Sequence, residues 1–239
     1  MLNWEAAMDY KLKCDVIEWD VENWGKFIDF IEKRNIDFNN KKVLELGARD
    51  GGLSLYFALK GAYVTCTDLE GPTAKANVLH ERYNVADRVT YEAVDGTDIP
   101  DKYYGQYDYV VFKSVIGGIG SFNDYDKQKA CVDGIYQCLK PGGTLVFVEN
   151  MQASFLHRFA RKTFVKWGKS WHYESRKEIH ELMKDFLLIE EKYAGVLGCF
   201  GRSEKGREKL GRVDTAVFDR ILPDSCKYIG MYIYNKPDC

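Results

Sequence analysis

Between Lys41 and Asn150, short apolar runs alternate with helix-patterned segments, and this alternation restricts the fold more than any other feature. "KKVLEL" (41–46) is followed by a glycine-rich turn and the helix pattern "GLSLYFALKG" (52–61). "AYVTCTDL" (62–69) precedes Gly71-Pro72 and "AKANVLHERY" (74–83), with proline at a first-turn position. "RVTYEAV" (88–94) and "YDYVVFKS" (107–114) are two more strand runs. "NDYDKQKACVDGIYQCLK" (123–140) puts Cys131, Ile135, Cys138 and Leu139 on one helix face, "PGG" stops it, and "TLVFVEN" (144–150) follows. Strands that alternate with helices pair in parallel and carry the helices on both faces of the sheet.

The flanks differ. Residues 1–40 read as helix, starting near Asp20, with an apolar stripe of Trp24, Phe27, Ile28 and Ile31. After 150, "LLIEEKYAGVLGCF" (187–200) and "KYIGMYIYNK" (227–236) read as strands around a charged helical segment, 203–222. They predict an antiparallel edge pair. A length of 239 residues suits one large domain. We expect a single domain over 1–239: a helical cap (1–40), a cofactor-binding half (41–150), and substrate-side helices with closing strands (151–239).

In such sheets ligands gather at the carboxyl ends of the strands. Polar residues stand there after the apolar runs: Glu45, Asp68, Asp95, and the pair Lys113 and Ser114. The spacing from Glu45 to Asp68 is that of a nucleotide loop and the acid that holds a ribose. A dinucleotide loop wants G-x-G-x-x-G, but Gly47, Arg49 and Gly52 occupy those places. An acid just before the first glycine repels a pyrophosphate and suits a cation. S-adenosylmethionine, with its sulfonium and ammonium, therefore fits better than a nicotinamide dinucleotide.

"ELGARDGG", "CTDLEG", "VDGTDIP" and "LKPGGTLVFVEN" together resemble class I S-adenosylmethionine-dependent methyltransferases from about Val43 to Asn150. Resemblance and element order give the same fold class: α/β, a Rossmann-like doubly wound, mostly parallel seven-stranded sheet with an antiparallel edge strand and helices on both faces. The resemblance implies that Glu45, Gly47 and Gly51 line the methionine moiety. It implies that Asp68 accepts the ribose hydroxyls, that Leu69 packs on adenine, and that Asp95, with Gly96 beside it, takes the adenine amino group. Ser114 is implied near the reactive end, and S-adenosylhomocysteine as the product. Arg49 departs from the family pattern. Either it points to solvent or pairs with Asp50, or it binds the cofactor carboxylate or an anionic substrate. "VIEWDVENWGKF", "LGARDGGLSL", "VVFKSVIGGIG" and "ENMQASFLHRF" further resemble bacterial small-molecule methyltransferases met alongside sugar and surface-polysaccharide enzymes, where the arginine is a feature of the group.

A hydroxyl acceptor needs a base, usually histidine. His157, just after the fifth strand, is the first candidate, and His172 in "SWHY" the second. His80 reads as structural or near adenine, and His180 as a surface residue. Trp19, Trp24 and Lys113 are substrate-side candidates. The place of a (D/N/S)-P-P-(Y/F) turn reads "KSVIGG", which argues against nucleobase amine methylation. Lys113 stands where metal-dependent catechol-type enzymes have Asp, so no catalytic metal is expected. A net charge of −2 gives no support to nucleic acid as a partner. Seven scattered cysteines without C-x-x-C argue for a reduced compartment and against structural zinc. With no apolar h-region at the N-terminus and no spanning run, a cytoplasmic location is expected.

The segment 155–171 carries no acid. As a helix it gathers Arg158, Arg161, Lys162, Lys166 and Lys169 on one face and Phe155, Phe159, Trp167 and Trp171 on another. It is either a lid with a solvated basic face or a contact for an anionic membrane or phosphate. The reading of the whole is methyl transfer from S-adenosylmethionine to a hydroxyl or amine of a small molecule, a sugar or related metabolite. The alternatives are a natural-product or lipid-headgroup methyltransferase, and a non-catalytic cofactor-binding partner subunit.

Overall fold

The computed structural model describes residues 9–164 and 170–238. Seven strands form one sheet: β1 (Lys42–Leu46), β2 (Tyr63–Asp68), β3 (Val89–Ala93), β4 (Tyr107–Lys113), β5 (Leu139–Asn150), β6 (Leu187–Ala194) and β7 (Ile229–Asn235). Their order is β3-β2-β1-β4-β5-β7-β6. β1 to β5 pair in parallel, and β7 runs antiparallel between β5 and β6. The order reverses between β1 and β4, which opens a crevice at their carboxyl ends.

The inner strands β1, β4, β5 and β7 bury both faces over most of their length, and alternate residues divide between two layers. Val43, Val111, Val146 and Val148 pack with Val16, Ile17, Phe27, Leu53 and Phe57. Leu44, Val110, Phe112, Leu145 and Phe147 pack with Ile116, Cys131, Ile135 and Ile179. The Phe112, Phe147 and Tyr232 rings stack at 4.6 and 4.9 Å between centroids, which fixes the middle of the second layer. The same alternation decides where the strand-end polar residues point. Glu45, Asp68 and Lys113 continue the first face; Ser114 and Glu149 continue the second.

The helices on the first face are α1 (Tyr10–Ile17), α2 (Val21–Trp24), α3 (Lys26–Glu32), α4 (Gly52–Leu59) and α5 (Ala74–Arg82). Four more follow along the chain: α6 (Ile116–Ile119), α7 (Tyr125–Cys138), α8 (Phe155–Phe164) and α9 (Arg176–Leu182). α10 (Glu204–Val213) is followed by a π turn over Asp214–Phe218.

Where the cap was expected as one helix from Asp20, the chain breaks at Glu18 and Asp20, both at positive φ. The break has tertiary causes. Glu204 accepts from the amides of Asp20 and Val21, and the buried Asp20 carboxyl accepts from the Tyr228 hydroxyl. β5 begins at Leu139, before the Pro-Gly-Gly, where Leu139 pairs with Tyr107 and the register then shifts. The strand expected over 187–200 stops at Ala194 because Gly195 turns at φ 76°.

Candidate functional site

Glu45 ends the apolar run of β1, but its carboxyl does not reach the surface. It is buried and accepts from the Ser54 amide at 2.7 Å and from the Ser54 hydroxyl. An anion at the first turn of α4 suits the helix dipole. Burial nonetheless pushes the carboxyl up to about 7. Glu45 thus lies beneath the loop and holds the first turn of α4 through Ser54.

Above Glu45 the loop uses left-handed backbone three times. Gly47 (φ 64°) is exposed, and a Cβ there would meet Val115 Cγ2 at 2.6 Å. Gly51 (φ 79°) is buried, and a Cβ would meet His80 and Ala76 within 3 Å. The side of Gly51 that would carry a Cβ therefore packs on α5. Its carbonyl lies 2.9 Å from His80 Nε2, whose other nitrogen meets the Tyr91 hydroxyl at 2.7 Å, so His80 is structural. Arg49 holds the middle position at φ 48°. An αL residue other than glycine costs about 1–2 kcal/mol, and the side chain itself is not forced inward. The guanidinium is 71 % exposed, 3.2 Å from Glu18 and 4.0 Å from Asp50. The side chain thus stands largely in solvent, with Glu18 of the cap nearer to it than Asp50.

Asp68 is set by the loop's backbone. One oxygen accepts from the Arg49 amide and the other from the Leu69 amide, both at 2.8 Å. Each carboxylate oxygen keeps a second acceptor direction toward solvent. Leu69 is 64 % exposed at the strand end. Asp95, also exposed, accepts from the Thr97 amide and hydroxyl at 2.8 Å, and these bonds hold its carboxyl below the usual range. The Val94 amide donates to the Asp68 carbonyl at 2.9 Å, which ties the two strand ends together. Gly96 has ordinary room for a Cβ, with Ile119 at 3.4 Å, so nothing in the backbone requires glycine there.

The first-face parity of Lys113 sends it to the cap. Its ammonium donates to the Ile17 carbonyl at 2.7 Å and lies 3.9 Å from Glu18. Desolvation between α1 and the strand end lowers its pKa. Lys113 thus ties the end of α1 to the end of β4. Trp24 is likewise buried in the core. Trp19 remains on the surface, 6.3 Å from the Trp24 ring and with the Arg207 guanidinium 5.0 Å from its own.

At the β4 and β5 ends, Ser114 turns at φ 58°, and its hydroxyl accepts from Asn150 Nδ2 at 2.8 Å. Next to it, Glu149 is buried and one of its oxygens accepts from the Val115 and Ile116 amides at 2.6 Å each. Glu174 is buried behind it. One of its oxygens accepts from Gln128 and the other has no protein partner; Glu174 is among the residues that line a cavity of about 420 Å³. Burial raises Glu149 to about 7, and burial plus the Glu149 charge raises Glu174 well above its ordinary value. The pair keeps at least one proton near neutral pH. The sequence reasoning missed both residues. Glu149 carried the same signal as Glu45, an acid ending an apolar run; Glu174 carried none.

Neither candidate histidine offers a free ring nitrogen. His157 is buried, with Nδ1 2.7 Å from the Ser154 hydroxyl and Nε2 2.7 Å from the Val196 carbonyl. The carbonyl only accepts, so Nε2 carries the proton and donates to it, and Nδ1 accepts from Ser154. Burial lowers the pKa of this ring, which fixes it as neutral and structural. His172 lies 2.9 Å from Asn123 through Nδ1 and 3.3 Å from Glu178 through Nε2. Its amide donates to the Gly117 carbonyl, and Trp171 packs on Gly117 and Gly118, so residues 171 and 172 wall the β4 end over α6. The buried Trp171 indole N–H has no protein acceptor.

In α8, Phe155 and Phe159 face outward together with Arg158 and Lys162, while Arg161 turns inward to the Met151 carbonyl at 2.7 Å and over the Tyr173 ring. The separation of aromatic and basic faces expected over 155–171 is not the arrangement of α8. Lys166, Trp167 and Lys169 lie outside the described residues. Among the described residues, no three His, Cys, Asp or Glu side chains are grouped to hold a metal. No helix among them is long and apolar enough to cross a membrane.

Residues 44–145 match the profile of a methyltransferase domain. A ubiquinone biosynthesis O-methyltransferase of Psychrobacter cryohalolentis is 29 % identical over 136 residues, 56 % of this chain and 51 % of that protein. The chain spans about half the length of the curated relatives it matches. Among solved structures, a putative sarcosine dimethylglycine methyltransferase from Galdieria sulphuraria shares the fold at TM-score 0.64 and 14 % identity, over 90 % of this chain and 85 % of that one. Haemonchus contortus phosphoethanolamine N-methyltransferase 2, in complex with S-adenosyl-L-methionine, does so at TM-score 0.62 and 19 % identity, over 90 % and 53 %.

Proposed function

We propose that this chain, which carries a methyltransferase domain across residues 44–145, is an enzyme that transfers a methyl group from S-adenosylmethionine to a hydroxyl or amine of a small molecule. One observation carries the reading. Asp68, Leu69 and Asp95 converge at neighbouring strand ends, with Asp68 held by two backbone amides and its remaining acceptor directions open. That donor set fits a ribose diol and an adenine: Asp68 accepts from the diol, Leu69 gives an apolar platform, and Asp95 accepts from an exocyclic amine. Exposed Gly47 lets the amino-acid part lie against bare backbone. When bound, the cofactor supplies a methyl group on a sulfonium, open to in-line attack.

The protein's own part is mostly placement. Glu149 fixes the Val115 and Ile116 amides, and with them the turn that carries Ser114. Ser114 and Asn150 present a hydroxyl and an amide beside that turn. His80, His157 and His172 have both nitrogens engaged, which favours acceptors that attack without prior deprotonation by an imidazole. A neutral amine meets that condition, as does a hydroxyl acidic enough to ionise by itself. The matched curated relatives include ubiquinone biosynthesis O-methyltransferases and, over 41 residues at 51 % identity, EEF1A lysine methyltransferase 3 of Mus musculus, so a sugar acceptor rests on the narrower sequence resemblance alone. Across 1–239 we assign the cap to cofactor enclosure and 151–239 to the acceptor side.

The test is calorimetric binding of S-adenosylmethionine, followed by incubation with amine, phenol and sugar panels while S-adenosylhomocysteine is measured. Absence of binding at millimolar cofactor overturns the reading. Binding without product from any panel member points to a non-catalytic partner subunit.

A further inference from the structure

α8 is inside out. A helix on a protein surface buries its apolar stripe and exposes its charges. Here His157 is buried and Arg161 turns inward, while Phe155, Leu156 and Phe159 are 75, 59 and 54 % exposed. The inward polar groups are satisfied: His157 by Ser154 and Val196, Arg161 by the Met151 carbonyl and the Tyr173 ring. The helix is thus fixed in this orientation by its own hydrogen bonds. At 100° per residue, Phe155, Phe159 and Leu156 form one outward stripe, and the exposed Arg158 and Lys162 flank it on one side.

Two more exposed aromatic rings belong to segments that touch residues 154–172. The Phe200 ring, itself partly exposed, lies 5.0 Å from His157 under the helix. Phe122, 83 % exposed, is tied by its amide to the Ser170 carbonyl beyond α8. Clustered large apolar side chains in water mark a contact surface. The charge on this one identifies the contact. Between Asn150 and Glu174 the sequence contains no Asp or Glu, although the whole chain has net charge −2. An apolar stripe with a basic flank and no acid suits the boundary between headgroups and acyl chains of an anionic bilayer.

We propose that α8 is a peripheral docking helix for an anionic lipid bilayer, inserting Phe155, Leu156 and Phe159 and setting Arg158 and Lys162 against the headgroups. α8 leaves the carboxyl end of β5, so docking turns the strand-end crevice toward the membrane surface. The proposal does not depend on methyl transfer.

The full chain is sedimented with phosphatidylcholine vesicles containing about a quarter phosphatidylglycerol, in about 0.1 M salt. We expect retention on these vesicles and roughly tenfold less on pure phosphatidylcholine. Phe155→Ala with Phe159→Ala is expected to weaken retention about tenfold or more. Arg158→Glu with Lys162→Glu is expected to weaken it about tenfold at the same salt and to remove the salt dependence. These side chains are exposed, so circular dichroism of both variants should match wild type. If the phenylalanine variant does not fold, the charge variant decides. No retention of the wild type, or unchanged retention of both variants, overturns the proposal. So does a dimer in sedimentation velocity that the phenylalanine variant abolishes, together with no vesicle binding, because a second copy then covers the stripe.

Discussion

The Arg49 guanidinium lies 3.2 Å from the Glu18 carboxylate, while the Arg49 amide donates to Asp68 at 2.8 Å. The two halves of this residue do different work. The backbone orients the proposed ribose acid, and the side chain reaches toward the cap. An exposed pair of this kind contributes about 0–1 kcal/mol. Glycine at φ 48° removes a strain of comparable size. Arg49→Gly is therefore expected to change unfolding free energy by less than about 1 kcal/mol. Its cofactor affinity should stay within about threefold of wild type. Arg49→Pro loses the amide and the left-handed conformation together, and should weaken binding at least about tenfold. Calorimetry on the two variants checks this, and a large loss in the glycine variant would place the guanidinium on the ligand.

Asp68 and Asp95 should separate when stability and binding are measured together. Asp68→Ala removes two charge-assisted bonds to backbone, each worth about 1.5–3 kcal/mol, so thermal stability and cofactor affinity both fall. Asp95 is exposed and bonds only within its own turn, to Thr97. Asp95→Ala should lower affinity about tenfold and move the unfolding midpoint by no more than a few degrees. Equal loss of stability in both would mean that the acids serve the fold alone.

What the sequence made legible follows from backbone periodicity. The alternation of runs defined β1 to β5, and acids at the ends of apolar runs marked Glu45, Asp68 and Asp95. Parity along each strand, however, decides which face a strand-end residue joins. Lys113, a substrate-side candidate by its place at the strand end, follows Val111 to the cap and the Ile17 carbonyl. Histidine at a plausible chain position says nothing about what fills its two nitrogens, and His157 is occupied by Ser154 and Val196, the latter 39 residues away. Glu174 becomes a partner of Glu149 only through packing that no local pattern encodes.

The buried carboxyls should leave a mark on stability against pH. Glu45 and Glu149 have folded pKa values of about 7, above an ordinary 4.5, and Glu174 is raised too. The folded state thus holds protons that the unfolded chain releases. The stabilisation is full below about pH 4.5 and is lost as pH rises through about 7. Buried His80 and His157, with lowered pKa values, act in the opposite sense, so the net curve mixes both. The difference between wild type and Glu174→Gln isolates the carboxyl pair. The variant should gain stability relative to wild type as pH rises from 5.5 to 8, by about 1–3 kcal/mol. Parallel denaturant curves across that range would contradict it.

Lys113 gives the sharpest test of how the cap is held. Its bond to the Ile17 carbonyl joins the end of α1 to β4, and Glu18 adds the Arg49 loop to the same junction. Lys113→Met keeps the apolar stem but removes the donor, leaving a helix-terminal carbonyl short of a partner. The expected cost is about 1–3 kcal/mol. The location of that loss matters more than its size. If Lys113 is an anchor, hydrogen exchange should quicken over residues 10–24 and remain slow in β1 and β4, because the buried core on either side is untouched. Cofactor affinity should then fall through loss of cover, with the acceptor's KM unchanged. A rise in acceptor KM without faster exchange in the cap would instead return Lys113 to the substrate side.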